Sequence, residues 1–235
     1  MTGRAAQALR ATRPVDDVPS SFAAVLTARF ESRPGARFVL FVSGGSTAAA
    51  CYDRAVERAE IDWSLVDVYL GDERVVPPED PDANQALVRH HLVEALGGVG
   101  SFTPMATEGD VERCANDYEA VLRPLLAGPG IDLVHLGLGP DGHTASLFSG
   151  TESLEEKERL CVSTFDPTGR NPHRRLSVTY PVIDAARSAL FTVSGAEKHQ
   201  AVRRIMDGED LPAARVATFD IRWLVDEAAV RGGSA

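Results

Sequence analysis

An aspartate and a histidine two positions apart, Asp141 and His143, lie in the glycine-rich stretch 137–148, GLGPDGHTASLF. Histidine has an ordinary pKa of about 6.5, so its neutral form accepts a proton at neutral pH. A neighbouring carboxylate fixes the tautomer and stabilises the imidazolium that results. Glycines let side chains and amides converge on one small volume. The pattern suits general-base chemistry. The same stretch also contains a literal G-x-G-x-x-G at Gly137, Gly139 and Gly142, the arrangement of a dinucleotide site. Against that reading, Asp141 would set a carboxylate facing a pyrophosphate, and only a short helical stretch follows before Gly150.

Other segments have the chemistry of an anion site. In residues 41–47, FVSGGST, an apolar strand ends, Gly44 and Gly45 follow, and Ser46 and Thr47 open a helix. The unpaired amides of a helix N-terminus make a phosphate cradle there, and no Walker loop is present. The alternative is a tight turn without a ligand. Arg74 lies in the segment GDER at a strand end and has the fork to grip a phosphate, unless it marks only a solvated turn. Lys198 falls in the first turn of a helix after Val193-Ser194-Gly195. A cation is unfavourable there, and a bound anion would relieve it. Arg174 and Arg175 adjoin at a strand start, where the two-residue period lets only one of them face a given side. His135, inside the run IDLVHL, reads as a structural histidine. His90 and His91 are adjacent on a helix and lack metal-ligand spacing, so no metal is expected.

The elements that must carry these residues alternate. Residues 37–42, 65–70 and 131–136 read as strands, and 174–179 and 189–193 as later ones, with a final strand near 214–217. Helical periods cover 46–60, 83–96, 111–126 and 196–206. Strands alternating with helices predict an α/β fold: a Rossmann-like, mainly parallel sheet flanked by helices, with a few extra strands. Residues 1–15 read as a flexible N-terminal extension with a faint likeness to a transit peptide, and 16–235 as a single domain.

The chain has 235 residues, 44% of them apolar, enough for one continuous core. A net charge of −10 argues against nucleic-acid or membrane-surface binding, which needs clustered cations, but not against one small anion. The three cysteines, Cys51, Cys114 and Cys161, form no C-x-x-C pair and fit a reducing, cytoplasmic setting. No apolar run is long enough to span a membrane. A monomer is the working expectation.

Taken in order, SGGST (43–47), GDERVVP (71–77) with Asn84, GLGPDGHTASLF, RRLSVTYPVI and GAEKHQAV resemble the 6-phosphogluconolactonase family, whose relatives include the glucosamine-6-phosphate deaminases. The resemblance runs from about residue 22 to residue 223. It implies hydrolysis of 6-phospho-D-glucono-1,5-lactone to 6-phosphogluconate, the second step of the oxidative pentose phosphate pathway, on a small sugar-phosphate substrate and without a cofactor. It implies His143 as base and Asp141 as its acidic companion. It implies Gly44, Gly45, Ser46 and Thr47 on the phosphate side, and substrate contacts from Asp72, Arg74, Asn84, Arg175 and Lys198. One departure is Ser149, where the lactonases usually carry proline. The deaminases have an Asn-Glu pair shortly after their Asp-Gly-His, where this chain has Leu147-Phe148, and their Asp-Glu-Tyr reads Asp72-Glu73-Arg74 here. Both differences favour a lactonase over a deaminase. A sugar-phosphate sensor without activity is a further alternative, and the Asp141–His143 pair argues against it.

Overall fold

The computed structural model describes residues 3–232. In chain order its strands are β1 (Phe38–Val42), β2 (Val66–Leu70), β3 (Asp72–Arg74), β4 (Ser101–Thr103), β5 (Leu133–Leu136), β6 (Cys161–Thr164), β7 (Arg175–Val178), β8 (Ser188–Val193) and β9 (Asp220–Val225). Its helices are α1 (Arg4–Ala11), α2 (Val18–Glu31), α3 (Ser46–Arg58), α4 (Asn84–Val88), α5 (Val111–Ala127), α6 (Tyr180–Ala185), α7 (His199–Asp207), α8 (Pro212–Arg215) and α9 (Glu227–Arg231).

Six strands form one parallel sheet in the order β4-β2-β1-β5-β8-β9. Strands covered on both faces must be apolar throughout. β1 (FVLFV) and β8 (SALFTV) are accordingly buried at every position. From β1 the chain builds outward to β4, and from β5 it builds the other way to β9. The order therefore reverses between β1 and β5, and α/β sheets open a ligand crevice at such a point, beyond the carboxyl ends of the strands. The segments 43–47 and 137–143 leave the sheet there. A second sheet, β3-β7-β6, is antiparallel and supplies the expected extra strands.

Several boundaries differ from the sequence expectation. Residues 4–11 are no flexible extension. They form α1, whose Ala5, Ala6 and Leu9 are buried, and Ala5 O accepts from Trp223 Nε1 at 3.0 Å. Residues 1 and 2 lie outside the described residues. The final strand is β9 rather than 214–217. Pro212 starts a helix with its fixed φ and missing N–H, and residues 214–215 continue it. The helix expected over 83–96 is α4 followed by a π-helical turn, Arg89–Glu94. α2 is an addition, begun by Asp17, whose carboxylate accepts from Ser20 N at 3.0 Å. Among the described residues no helix is long and apolar enough to cross a membrane.

Candidate active site

After β5 the chain enters the glycine turn. Gly139 N donates to His143 O and Gly142 N to Gly139 O, each at 2.9 Å, so both amides are spent inside the turn. Gly142 sits at φ +93°, where a side chain would be strained. A Cβ on Gly139 would lie 2.1 Å from His143 Nδ1, so the bare glycine is what lets the imidazole fold back over the turn. His143 Nδ1 is 2.6 Å from Asp141 Oδ1, and its ring lies 4.6 Å from that of Phe148. A carboxylate at that distance holds the proton on Nδ1, which leaves Nε2 as the basic nitrogen of the neutral ring. Burial pushes the Asp141 carboxyl up, but the hydrogen bond and charge of His143 outweigh it and hold it below the ordinary carboxylate value. The turn is braced from behind, where Arg204 Nη1 donates to Asp141 O at 3.4 Å and Ala213 N to Gly142 O at 3.1 Å.

His143 opens onto a cleft of about 240 Å³ at the reversal point of the sheet. Gly44, Gly45, Asp72, Arg74, Asn84, Arg175 and Lys198 also line it, as do Ser43, Thr144, Ala145 and Asn171. A recess of about 150 Å³ shares Gly44, Gly45 and Lys198 with the cleft and adds Ser46 and Thr47. Of the residues that the resemblance implies for the site, all but Asp141 line the cleft or the recess beside it, and Asp141 contacts His143. Arg174 is exposed and reaches Ser163 Oγ at 3.4 Å, so Arg175 is the arginine that faces the cleft.

Arg175 is only 6% exposed. Its Nη2 donates to Asn171 Oδ1 at 3.2 Å, and its Nε has no partner. Burial pushes its pKa down, partly offset by Asp72. Asn171 is itself fixed, because Asp166 Oδ2 accepts from its amide at 3.1 Å and its side chain at 2.7 Å. Burial opposes ionisation of Asp166, but donors from Thr168 and Asn171 prevail and bring it down to about 2. Lys198 follows Gly195, at φ +100°, on a turn that no side chain caps. Among the described residues no acid pairs with Lys198. Gly45, at φ +97°, opens α3 in the same way, also without a side-chain cap. These two uncapped helix entries, Lys198 and the buried guanidinium are the groups of the cleft suited to an anion.

Acidic and hydroxyl groups line the same cleft, beside these cations. Asp72 Oδ2 accepts from Ser146 Oγ at 2.5 Å, and Asp72 Oδ1 from Asn84 Nδ2 at 3.3 Å. Asn84 Oδ1 is buried without a donor. A Cβ on Gly44 would fall 1.9 Å from that oxygen, so glycine is required there by close approach. Arg74 Nη1 donates to Asp82 O. Ser146, Asn171 and Glu73 are contributors that the sequence reading passed over. Ser146 lay in view within GHTASLF, three positions after the histidine.

Glu73 is fully buried, and its carboxylate accepts from the amides of Arg74, Asn84 and Gln85 at 2.7, 2.6 and 2.8 Å. It ties the segment bearing Asp72 and Arg74 to the start of α4. Burial pushes it up to about 7 from an ordinary 4.5, against the pull of those amides. An acid raised in the folded state binds its proton more tightly there than in the unfolded chain. Stability therefore falls as pH rises between those two values. Thermal unfolding of the protein and of Glu73→Gln, measured from about pH 5 to about pH 8, should show the wild type losing ground to the variant as pH rises. A difference curve flat across that range would remove Glu73 as the titrating group.

The family model for glucosamine-6-phosphate isomerases and 6-phosphogluconolactonases matches residues 11–224. The chain is 35% identical to human 6-phosphogluconolactonase over 215 residues, which cover 83% of this chain and 81% of the human one. It is 33% identical to 6-phosphogluconolactonase of a Nostoc species, covering 82% and 83%. Among solved structures, the 6-phosphogluconolactonase of Thermotoga maritima superposes with a TM-score of 0.81 at 25% identity, covering 92% of this chain and 98% of that one.

Proposed function

The chain belongs to the family of glucosamine-6-phosphate isomerases and 6-phosphogluconolactonases, and we propose that it hydrolyses 6-phospho-D-glucono-1,5-lactone to 6-phospho-D-gluconate. The observation that carries this reading is His143, backed at 2.6 Å by Asp141, in one cleft with Arg175 and Lys198. A base and a phosphate grip in one cleft are what a phosphosugar lactonase needs.

In this reading water attacks the lactone carbonyl as Nε2 of His143 takes its proton. Asp141 keeps Nδ1 protonated and stabilises the imidazolium. The tetrahedral centre then collapses, and the ring oxygen leaves with the proton that His143 returns. Arg175, Lys198 and the uncapped turn at residues 44–47 hold the phosphate, with Arg74 at the rim. Asp72 and Asn84 meet sugar hydroxyls. Gly139 and Gly142 have no amide to spare for the carbonyl oxygen. Gly139 lets the base approach, and Gly142 supplies the positive φ of the turn. The three cysteines are free and buried, which fits the reducing, cytoplasmic setting we assign.

The test is a rapid assay on freshly made lactone, corrected for spontaneous opening. We expect saturable acceleration and no ammonia from glucosamine 6-phosphate. Ammonia release without lactone hydrolysis would move the protein to the deaminase branch. Binding of 6-phosphogluconate with no turnover would make it a sensor.

A further inference from the structure

Beneath the cleft lies a buried polar cluster that the mechanism does not use. His135, on β5, is fully buried, and Tyr52, on α3, is 1% exposed. Tyr52 Oη is 2.9 Å from Ser43 N, 2.8 Å from Ser43 O and 3.0 Å from His135 Nδ1. His135 Nε2 is 2.8 Å from Thr192 Oγ1, and Ser43 Oγ donates to His135 O at 2.7 Å.

A phenol has a single proton. Ser43 N–H can only donate and Ser43 O can only accept, so the Tyr52 proton must go to Ser43 O. Two oxygens at 2.8 Å with no proton between them would repel. His135 Nδ1, close to the same phenol oxygen, must then carry a proton and donate it. Nε2 is left bare and accepts from the Thr192 hydroxyl. Every polar atom of the cluster is then satisfied with the imidazole neutral. Burial, which pushes His135 down to about 3 and the Tyr52 phenol well above its ordinary value, favours this uncharged arrangement.

The position of the cluster gives it a purpose. β1 ends at Val42, so the backbone of Ser43 has left the sheet, and Gly44 and Gly45 follow it into the cleft wall. Tyr52, two turns into the helix that follows, reaches back and holds both backbone groups of Ser43. His135 stands two residues before Gly137, at the root of the catalytic turn.

We propose that Tyr52 and His135, with His135 held as its Nδ1–H tautomer, are positioning residues that clamp the glycine turn at residues 43–45 to the root of the catalytic turn and so set the distance between the phosphate grip and His143. The consequence for affinity rests on the lactonase reading above; the tautomer does not.

Two measurements on the full chain test the clamp. ¹⁵N-detected histidine spectra of the wild type should show His135 protonated on Nδ1, bare on Nε2, and unchanged between about pH 5 and about pH 8. A His135 protonated on Nε2, or titrating in that range, would overturn the proposal. In Tyr52→Phe, checked for folding by its thermal transition, the dissociation constant for 6-phosphogluconate and the KM for lactone should rise about tenfold, with kcat changed about twofold at most. Unchanged 6-phosphogluconate affinity in the folded variant sinks the clamp and leaves the lactonase reading intact. A wild type that binds 6-phosphogluconate but does not hydrolyse the lactone sinks the functional reading and leaves the clamp standing on the spectra and on affinity.

Discussion

Replacing His143 by alanine should lower kcat for lactone hydrolysis by about 10²- to 10⁴-fold, the usual worth of a positioned general base. Binding of 6-phosphogluconate should barely change. The split follows from geometry. The imidazole is held by Asp141 and by its packing on Phe148, and among the described residues no hydrogen bond or ion pair joins it to Arg74, Arg175 or Lys198. Its removal takes the proton acceptor away and leaves the phosphate grip in place. Asp141→Asn should follow in direction. An amide presents a donor as readily as an acceptor to Nδ1, which loosens the hold on the tautomer that leaves Nε2 basic. Stopped-flow proton release at constant pH separates enzymatic from spontaneous opening. Wild-type kcat in His143→Ala would remove the histidine from the chemistry, and the water would need another base.

Arg175→Met should raise the dissociation constant for 6-phosphogluconate by about 10²-fold, because charge-assisted hydrogen bonds contribute about 1.5–3 kcal/mol each. The expectation for stability has the opposite sign. A guanidinium 6% exposed, with one side-chain hydrogen bond, an orphaned Nε and no ion pair among the described residues, costs the folded chain desolvation that Asn171 and the charge of Asp72 offset only in part. Methionine fills similar volume and carries no charge, so the thermal midpoint should hold or rise. Calorimetric titration with 6-phosphogluconate, beside a thermal melt, reads both. Undiminished affinity would move the phosphate away from Arg175, toward Lys198 and the 44–47 turn. A collapse of the fold would instead make Arg175 structural. The pairing of stronger binding with lower stability is what a preformed anion site predicts: the ligand supplies a directly paired counter-charge, where the nearby acids of the protein form no ion pair with Arg175.

Much of the framework was legible before any coordinates. β1, β2, β5 and β8 fall within two residues of the expected strands, because continuous apolar runs between turn residues leave little choice. The strands that escaped, β3, β4 and β6, are short and partly polar, and their pairing lies beyond a local window: Glu73 lies opposite Leu176, Ser101 opposite Asp67, and Ser163 opposite Leu176. Local periodicity has no access to such pairing. The N-terminal segment misled for a related reason. An Ala- and Arg-rich stretch looks solvated until another part of the chain, here Trp223 and its strand, offers a surface to bury it against.

The same division runs through the site. The sequence by itself determined the short-range chemistry. Asp141 and His143 are two residues apart in a glycine turn, and no packing is needed to bring a carboxylate to an imidazole at that spacing. It also marked the glycines at 44, 45 and 195 as backbone that must turn sharply into a helix. Only the tertiary structure decided which groups share a cleft. Ser146 reaches Asp72 across 74 positions of chain, Arg175 rather than Arg174 turns inward, and the buried His135 ties one loop to another. Those outcomes depend on the order of strands in the sheet. That order is set by burying the whole set of apolar faces at once, and no local window of sequence holds it.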